Sequence, residues 1–426
     1  MHTASLFSAF GSRRGNRILR HATALGVVAL AGLPAGAADL DAAIRQHRLG
    51  TLVVEASPGA EVRVEQLSHE FWFGAALANQ AFNQRMNAAD RERYLETFRA
   101  NFNSAVTENA LKWHVMEPLR GSVDYATVDA MLAWTERHGI PLRGHNVFWG
   151  TRARVQSWLQ ALPDDELRAA LRARATEVAR RYQGRFAEYD LNNEMVHGNY
   201  YEQRLGPTIT RDMAAWMREE DPGAVLYLNE YDITTGRRVA DYEKLIQRLR
   251  EQGVPIGGLG AQGHLHGDTF DSAALQQALD RLAVYHLPIR ITEFNFPGQR
   301  SKYFGKRDAV LSADEEAAKA RALTDFFRIC FAHPAVEGIL LWGFWEGANW
   351  IPVSSLFRRD WSPTPAAAAY RDLVYQEWWT NWRGRADAQG RCEVRAFFGR
   401  YRVTSAGREV GADLRRKEGS RVVSLK

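Results

Sequence analysis

Cysteine is nearly absent: the 426 residues contain two, Cys330 and Cys392. That count excludes a disulfide framework and any metal site built on cysteine spacing, and leaves room for one bridge in an oxidising compartment. Cys330 lies in an apolar helical stretch, residues 326–331, where a buried free thiol is the simpler expectation. Beyond the N-terminus no run reaches the roughly 18 uninterrupted apolar residues that a membrane-spanning helix needs, so stable bilayer insertion is not expected. A Gly-x-Ser-x-Gly elbow, a phosphate-cradling Gly-x-x-x-x-Gly-Lys loop and a His-Glu-x-x-His pair are all missing. His145, His197, His264 and His266 are present without the convergent ligand spacing of a zinc site, so neither a metal nor another cofactor is expected. Internal repeats and low-complexity linkers are also lacking. The formal charge is only +5, with basic and acidic residues interleaved, which argues against a nucleic-acid-binding stripe. Attraction to an acidic polysaccharide is a second reading of that surplus, beside an ordinary solvated surface.

What is present describes a globular protein. Hydrophobic residues make up 46% and charged residues 25%, enough for a sizeable core. Thirteen tryptophans offer flat faces for sugar rings, although they serve core packing equally well. Arg13, Arg14, Arg17 and Arg20 precede an apolar run at 22–33 and the small residues Ala35-Gly36-Ala37. That pattern reads as a signal peptide over 1–38, predicting a secreted or periplasmic protein. The Arg13-Arg14 pair permits a twin-arginine route, but the residues after it fit poorly.

From residue 71 onward, apolar β-rich runs alternate with longer amphipathic stretches. The runs lie at 71–77, 105–113, 141–149, 187–195, 224–232, 256–265, 289–296 and 338–346. Helical stretches follow at 90–102, 125–138, 164–182, 209–220, 237–252, 272–285, 313–331 and 364–376. Helix-length crossovers imply parallel pairing. Eight such units predict an α/β fold, a (β/α)8 TIM barrel over 71–382, with a doubly wound open sheet as the competitor. Residues 39–70 are expected to be a β-rich extension with two strands around Ser57-Pro58-Gly59, and 383–426 a small β-rich C-terminal piece. Neither is large enough for a convincing core alone; the two pair with each other or pack on the barrel.

Functional groups of such a barrel gather at the C-terminal ends of its strands. Those ends carry Glu108, Asn109 and Lys112 (second), His145 and Trp149 (third), Asn192, Asn193 and Glu194 (fourth), and Asn229, Glu230 and Tyr231 (fifth). Gln262 and His264 follow on the sixth, Glu293 and Asn295 on the seventh, and Trp342 and then Trp350 on the eighth. Glu194 and Glu293 both end β-like runs, on strands that face each other across a closed barrel. Cleaving a glycosidic bond takes an acid for the leaving oxygen and a second carboxylate below the anomeric carbon. Alone, either glutamate reads as a loop carboxylate; together, flanked by amides, histidines and tryptophans, they read as a sugar-cleaving pair. For His145 and His264 a structural role stays open, as does core packing for Trp342 and Trp350, whose glycine-containing loop favours exposure. Trp378, Trp379 and Trp382 are expected to pack between the last helix and the C-terminal piece.

These residues resemble glycoside hydrolase family 10, the retaining endo-β-1,4-xylanases. The matching pieces are Thr107-Glu-Asn-Ala-Leu-Lys-Trp113, Glu117-Pro118, Arg143-Gly-His145, Asp190-Leu-Asn-Asn-Glu194, Asn229-Glu-Tyr231, Gln262-Gly-His264, Ile291-Thr-Glu293 and Leu341-Trp-Gly343, in family order. The stretch from Glu65 to Ala75 and Asn193-Glu-Met-Val-His-Gly198 are similar to the plant-type branch. The resemblance implies that Glu194 is the acid/base and Glu293 the nucleophile. It implies that Glu108, Asn109, Lys112, His145 and Trp149 bind the glycone side, and that Asn193 holds the 2-hydroxyl of the attacked sugar. His264 would support Glu293, Gln262 would add polar contacts, Tyr231 would lie near the scissile bond, and Trp342 and Trp350 would shape the sugar-binding floor. The implied partner is a β-1,4-linked plant cell-wall polysaccharide, xylan, and the oligomeric state is left open.

Three departures bear on substrate preference. Asn295 stands where the family usually has Asp, which removes a negative charge from beside His264 and is expected to alter the pH optimum or slow the nucleophile. Trp149-Gly-Thr-Arg152 replaces the usual Trp-His-x-Gln, so that Arg152 and Arg154 add positive charge that an acidic substituent would meet. Glu230 stands where Asp is usual. The competing readings are a related glycanase acting on mixed-linkage glucan or substituted xylan, and a secreted glycan-binding protein without turnover.

Overall fold

The computed structural model describes residues 37–265 and 270–425. The expected signal peptide, apart from Ala37 and Ala38, lies outside the described residues, as does His266. Eight parallel strands form a closed barrel: Trp72–Leu77, Ser104–Thr107, Leu142–Gly144 continued by Phe148–Trp149, Glu188–Asn193, Leu226–Glu230, Ile256–Ala261, Ile289–Phe294 and Val336–Leu341. Closure is made at two seams. The eighth strand pairs with the first (Gly338 with Trp72), and the third with the fourth (Arg143 with Glu188). Helices cover the outside, so most strand residues are buried on both faces, as expected of parallel β-structure. Side-chain caps start several of these helices: Asn87 accepts from Asp90, Asp271 from Ala274, and Ser312 with Glu315 makes a reciprocal capping box. Among the described residues no helix is long and apolar enough to cross a membrane.

Two expected strands are shorter than their apolar runs. The second stops at Thr107, because the chain then turns (Lys112 N–H donates to the Asn109 carbonyl) into the short helix Trp113–Met116. The third is interrupted at 145–147, where the His145 N–H donates to the side-chain hydroxyl of Thr107 on the second strand instead of to a backbone carbonyl.

The two ends of the chain build one small β-sandwich. Leu49–Glu55 lies between Arg391–Phe397 and Ser420–Ser424 in one sheet. In the other, Glu61–His69 is flanked by Asn381–Arg385 and by Gly399–Ser405, which pairs in turn with Arg408–Leu414. Leu52, Val54, Val62, Val64, Val394, Tyr401, Val403 and Leu414 are buried in one apolar cluster between the sheets. The N-terminal piece supplies an inner strand of each sheet and the C-terminal piece the strands around it, building a core that neither makes alone. The segment expected to be β-rich from residue 39 instead begins as a helix, Ala37–Arg48. Its alanines suit a helix, its last turn carries Arg45, His47 and Arg48 at the negative end of the dipole, and Ile44 packs into the barrel core.

Arg48 ties this helix to the barrel. Its buried guanidinium donates to the carbonyls of Phe331 (2.6 Å), His333 (2.7 Å) and Val336 (2.7 Å), at the end of helix Ala313–Ala332 and the start of the eighth strand. Arg48→Ala strands three buried acceptors and is expected to cost about 3 kcal/mol. A thermal melt checks this, and an unchanged midpoint counts against it. Cys330 and Cys392 are both free thiols, Cys330 fully buried. Trp378 packs against Phe331 (ring centres 4.2 Å apart), while Trp382 lies against the sandwich core.

Candidate active site

Glu194 and Glu293 belong to one hydrogen-bonded network at the C-terminal end of the barrel. Glu194 lies just past the fourth strand in a left-handed conformation (φ 59°), uncommon for a residue with a side chain. Backbone bonds hold it there: its N–H donates to the Asn229 carbonyl (3.0 Å), and its carbonyl accepts from His197 and Gly198. Both carboxylate oxygens are occupied. Oε2 accepts from the Trp149 indole N–H (2.9 Å) and Oε1 from the Gln262 amide (2.8 Å). Trp149 and Gln262 thus hold Glu194.

Glu293 is buried, 4% exposed. Its Oε1 accepts from Asn229 Nδ2 (2.9 Å), and its Oε2 lies 3.1 Å from His264 Nε2. Burial opposes its ionisation, but His145 (Nδ1 at 3.9 Å), His264 and Lys112 outweigh that and hold its carboxyl down at about 2. Asn229 also donates to Asn193 Oδ1 (2.9 Å) and accepts from the Thr292 hydroxyl (2.6 Å). The amide of Asn193 is thereby oriented, and its buried Nδ2 has no partner among the described residues.

One glycine links the two carboxylates. Gly263, between Gln262 and His264, has φ +80°, and a Cβ there would lie 2.6 Å from Ile291 Cγ2. Its neighbours thereby reach opposite targets: Gln262 meets Glu194 and His264 meets Glu293. Gly263→Ala is expected to destabilise the protein by about 2 kcal/mol and to lower kcat/KM roughly tenfold or more by displacing both side chains. Denaturant titration and steady-state kinetics check the pair, and a loss of stability without loss of rate separates them.

Asn295 accepts through Oδ1 from Trp350 Nε1 (3.0 Å) and lies 2.9 Å from His264 Nδ1, while its Nδ2 donates to Ser354 Oγ (3.0 Å). Indole N–H is only a donor, so the amide orientation is set and His264 Nδ1 must carry the hydrogen. Trp350 is half-buried, its ring 5.2 Å from His264. Trp342, for which the sequence leaves both exposure and core packing open, is buried at 7%, its ring packed edge-on against His145, 5.1 Å away.

Lys112 Nζ bonds Asn109 Oδ1 (2.9 Å) and lies 5.1 Å from the centre of Trp149 and 5.2 Å from that of Trp342. Burial draws its pKa down against the pull of Glu293, Glu108 and Glu194. Burial also pushes Glu108 up to about 7, against the charge of Lys112. Tyr231 stacks on His197, ring centres 3.5 Å apart, and His197 Nδ1 lies 3.1 Å from Glu230 Oε2. Burial carries Glu230 well above the ordinary carboxylate range.

Beneath Glu293 runs a chain of buried charges that the sequence reading did not assign. Arg290 bonds Glu188 (2.9 and 3.1 Å), Arg143 bonds both Glu188 and Asp190, and Asp190 Oδ2 lies 2.8 Å from His145 Nδ1. Arg143 and Asp190 fall within the matching motifs, but the sequence signal for Glu188 and Arg290 is only charge inside apolar strands. A cavity of about 540 Å3 lies at the opposite end of the barrel, lined in part by Trp72, Arg99, Ile140 and Trp379, and includes neither Glu194 nor Glu293. Among the described residues no group of three His, Cys, Asp or Glu side chains is arranged to hold a metal ion.

Known proteins resemble this chain over much of its length. An anti-sigma-I factor of Acetivibrio thermocellus is 34% identical over 366 residues, 85% of this chain and 45% of that protein. Endo-1,4-beta-xylanase 1 of Arabidopsis thaliana is 35% identical over 349 residues, 81% of this chain and 34% of that protein. The chain therefore spans less than half the length of either relative. Xylanase 10B of Thermotoga petrophila RKU-1, solved in complex with xylobiose, superposes with a TM-score of 0.64 at 24% identity. That match covers 72% of this chain and 95% of the other and bears on the fold. Glu194 and Glu293 both fall within residues 64–373, the stretch matched by the model of glycosyl hydrolase family 10, and the chain belongs to that family.

Proposed function

We propose that this chain is a retaining endo-β-1,4-xylanase in which Glu293 is the nucleophile and Glu194 the acid/base. The observation that carries the reading is the unequal treatment of the two carboxylates. Glu293 is buried among Lys112, His145 and His264, which keep it ionised, whereas Glu194 is partly exposed and held by neutral donors. Glu293 attacks the anomeric carbon as Glu194 gives its proton to the departing glycosidic oxygen, leaving a covalent glycosyl-enzyme. Glu194, now a carboxylate, takes a proton from water, whose oxygen attacks the same carbon and frees Glu293. Two displacements return the β configuration. Asn193, its amide turned by Asn229, offers Nδ2 to the 2-hydroxyl of the attacked sugar. Glu108, Asn109, Lys112, His145 and Trp149 would border the glycone, Tyr231 the scissile bond, and Trp342 and Trp350 the sugar floor.

The names of the Arabidopsis relative and of the Thermotoga xylanase support xylan as substrate. The N-terminal pattern supports export to the periplasm or medium. The test is product analysis on unsubstituted and substituted xylans and on barley glucan, with anomeric configuration followed by NMR. Internal cleavage of xylan giving β products first is expected. An α first product overturns the retaining assignment, and glycan binding without hydrolysis at any pH overturns the enzyme.

A further inference from the structure

After Trp149 the chain passes into the short turn Arg152–Arg154 beside the cleft. Both arginines are exposed, and neither guanidinium has a hydrogen bond or ion pair among the described residues. The nearby helix Asp164–Arg181 differs: Arg168 pairs with Asp212, Arg180 with Glu220 and Arg181 with Asp129. The Arg154 guanidinium lies 5.0 Å from the centre of the Trp149 ring, whose N–H holds Glu194. Arg152 lies 5.8 Å from the centre of Tyr200 and borders a cavity of about 390 Å3 shared with Thr151, His197 and Gln203. His197 is three residues past Glu194 and stacks on Tyr231, so this cavity adjoins the acid/base.

We propose that Arg152 and Arg154 form a carboxylate-binding site at the edge of the cleft, which takes a uronic acid branch carried by the xylan chain. The inference rests on the xylanase reading and names the substrate class within it. An anion recognised here has to be covalently part of a glycan lying across Glu194 and Glu293, and the acidic group a sugar branch carries is a carboxylate. The planar guanidinium fork matches a carboxylate with two parallel N–H donors. Stacking on Trp149 restricts the Arg154 fork before the ligand arrives, while the open cavity beside Arg152 leaves room for a branch.

The test compares kcat/KM on glucuronoxylan with kcat/KM on the same polymer after its carboxyl groups are reduced to alcohols. The intact protein is expected to favour the acidic polymer by about threefold to tenfold, the scale of one or two exposed charge pairs. The double variant Arg152→Ala/Arg154→Ala should lose that preference, Arg152→Lys/Arg154→Lys should keep part of it, and 0.5 M salt should shrink it in the intact protein. A preference that survives in the alanine variant, or none in the intact protein, overturns the site. Calorimetry on protein carrying Glu293→Gln separates this from the xylanase reading. Failure of the intact enzyme to hydrolyse either polymer ends that reading, whereas equal affinity of Glu293→Gln protein for acidic and carboxyl-reduced oligosaccharides ends the arginine site.

Discussion

Glu293→Ala is expected to lower kcat/KM on xylan at least about ten-thousand-fold, because it removes the group proposed to form the covalent intermediate while leaving binding to the rest of the cleft. Azide, small enough for the space the side chain leaves, should restore part of the turnover and give an α-glycosyl azide, since a single displacement inverts the centre. Azide-insensitive residual activity of wild-type size would remove Glu293 from the mechanism. The same carboxylate bears on stability. Its pKa falls from an ordinary 4.5 to about 2 on folding, so the ionised form stabilises the native state. For a depressed carboxyl this contribution is fully present above pH 4.5 and is lost as the pH falls through 2. Glu293→Gln should therefore cost up to about 3 kcal/mol at pH 7. Urea titrations at pH 7 and pH 3 measure it; the gap from the parent should narrow at the lower pH, and a gap that widens contradicts the sign.

The second large effect is expected at Asp190, which touches neither Glu194 nor Glu293. Asp190→Asn leaves Arg143 and Arg290 sharing Glu188 as their one buried carboxylate, and the new amide sets a donor against guanidinium and imidazole groups. A buried cation without its counter-charge costs about 3–5 kcal/mol. His145 loses the 2.8 Å partner that orients it, so the field on Glu293 weakens and kcat/KM should fall roughly tenfold to a hundredfold. Denaturation and kinetics below the variant's melting temperature check both. An Asp190→Asn protein of parental stability would mean that Asp190 is not needed to balance the buried guanidinium of Arg143.

The barrel was legible because eight alternating segments leave few ways to bury their apolar faces, and parallel pairing follows from helical crossovers. The residues that meet around Glu194 and Glu293 were nameable because barrel topology brings strand ends together. Their partnerships were not. Trp149 and Gln262 reach Glu194 from 45 and 68 residues away, and no local pattern encodes that pairing. Side-chain alternation misleads on the fourth strand, which has a register shift between Asp190 and Asn193. Past that irregularity Asn193 meets Asn229 on the neighbouring fifth strand, while Asn192 turns outward to Thr210. The choice between exposure and core packing for Trp342 stays open in the sequence, because a glycine-containing loop says nothing about the His145 ring that covers it. The helix at Ala37–Arg48 was missed because its apolar face, Leu40, Ala43 and Ile44, is short and its anchor Arg48 bonds residues some 285 positions away.

The sandwich imposes a schedule on biosynthesis. Strands Leu49–Glu55 and Glu61–His69 leave the ribosome before the barrel, yet their partners begin at Asn381, and the bond from Arg395 to Thr51 spans 344 residues. At typical elongation rates the early strands wait tens of seconds with open edges. During that interval the nascent chain offers two unpaired β-strands to any neighbour, an exposure that ends only when the last forty-odd residues emerge and close both sheets.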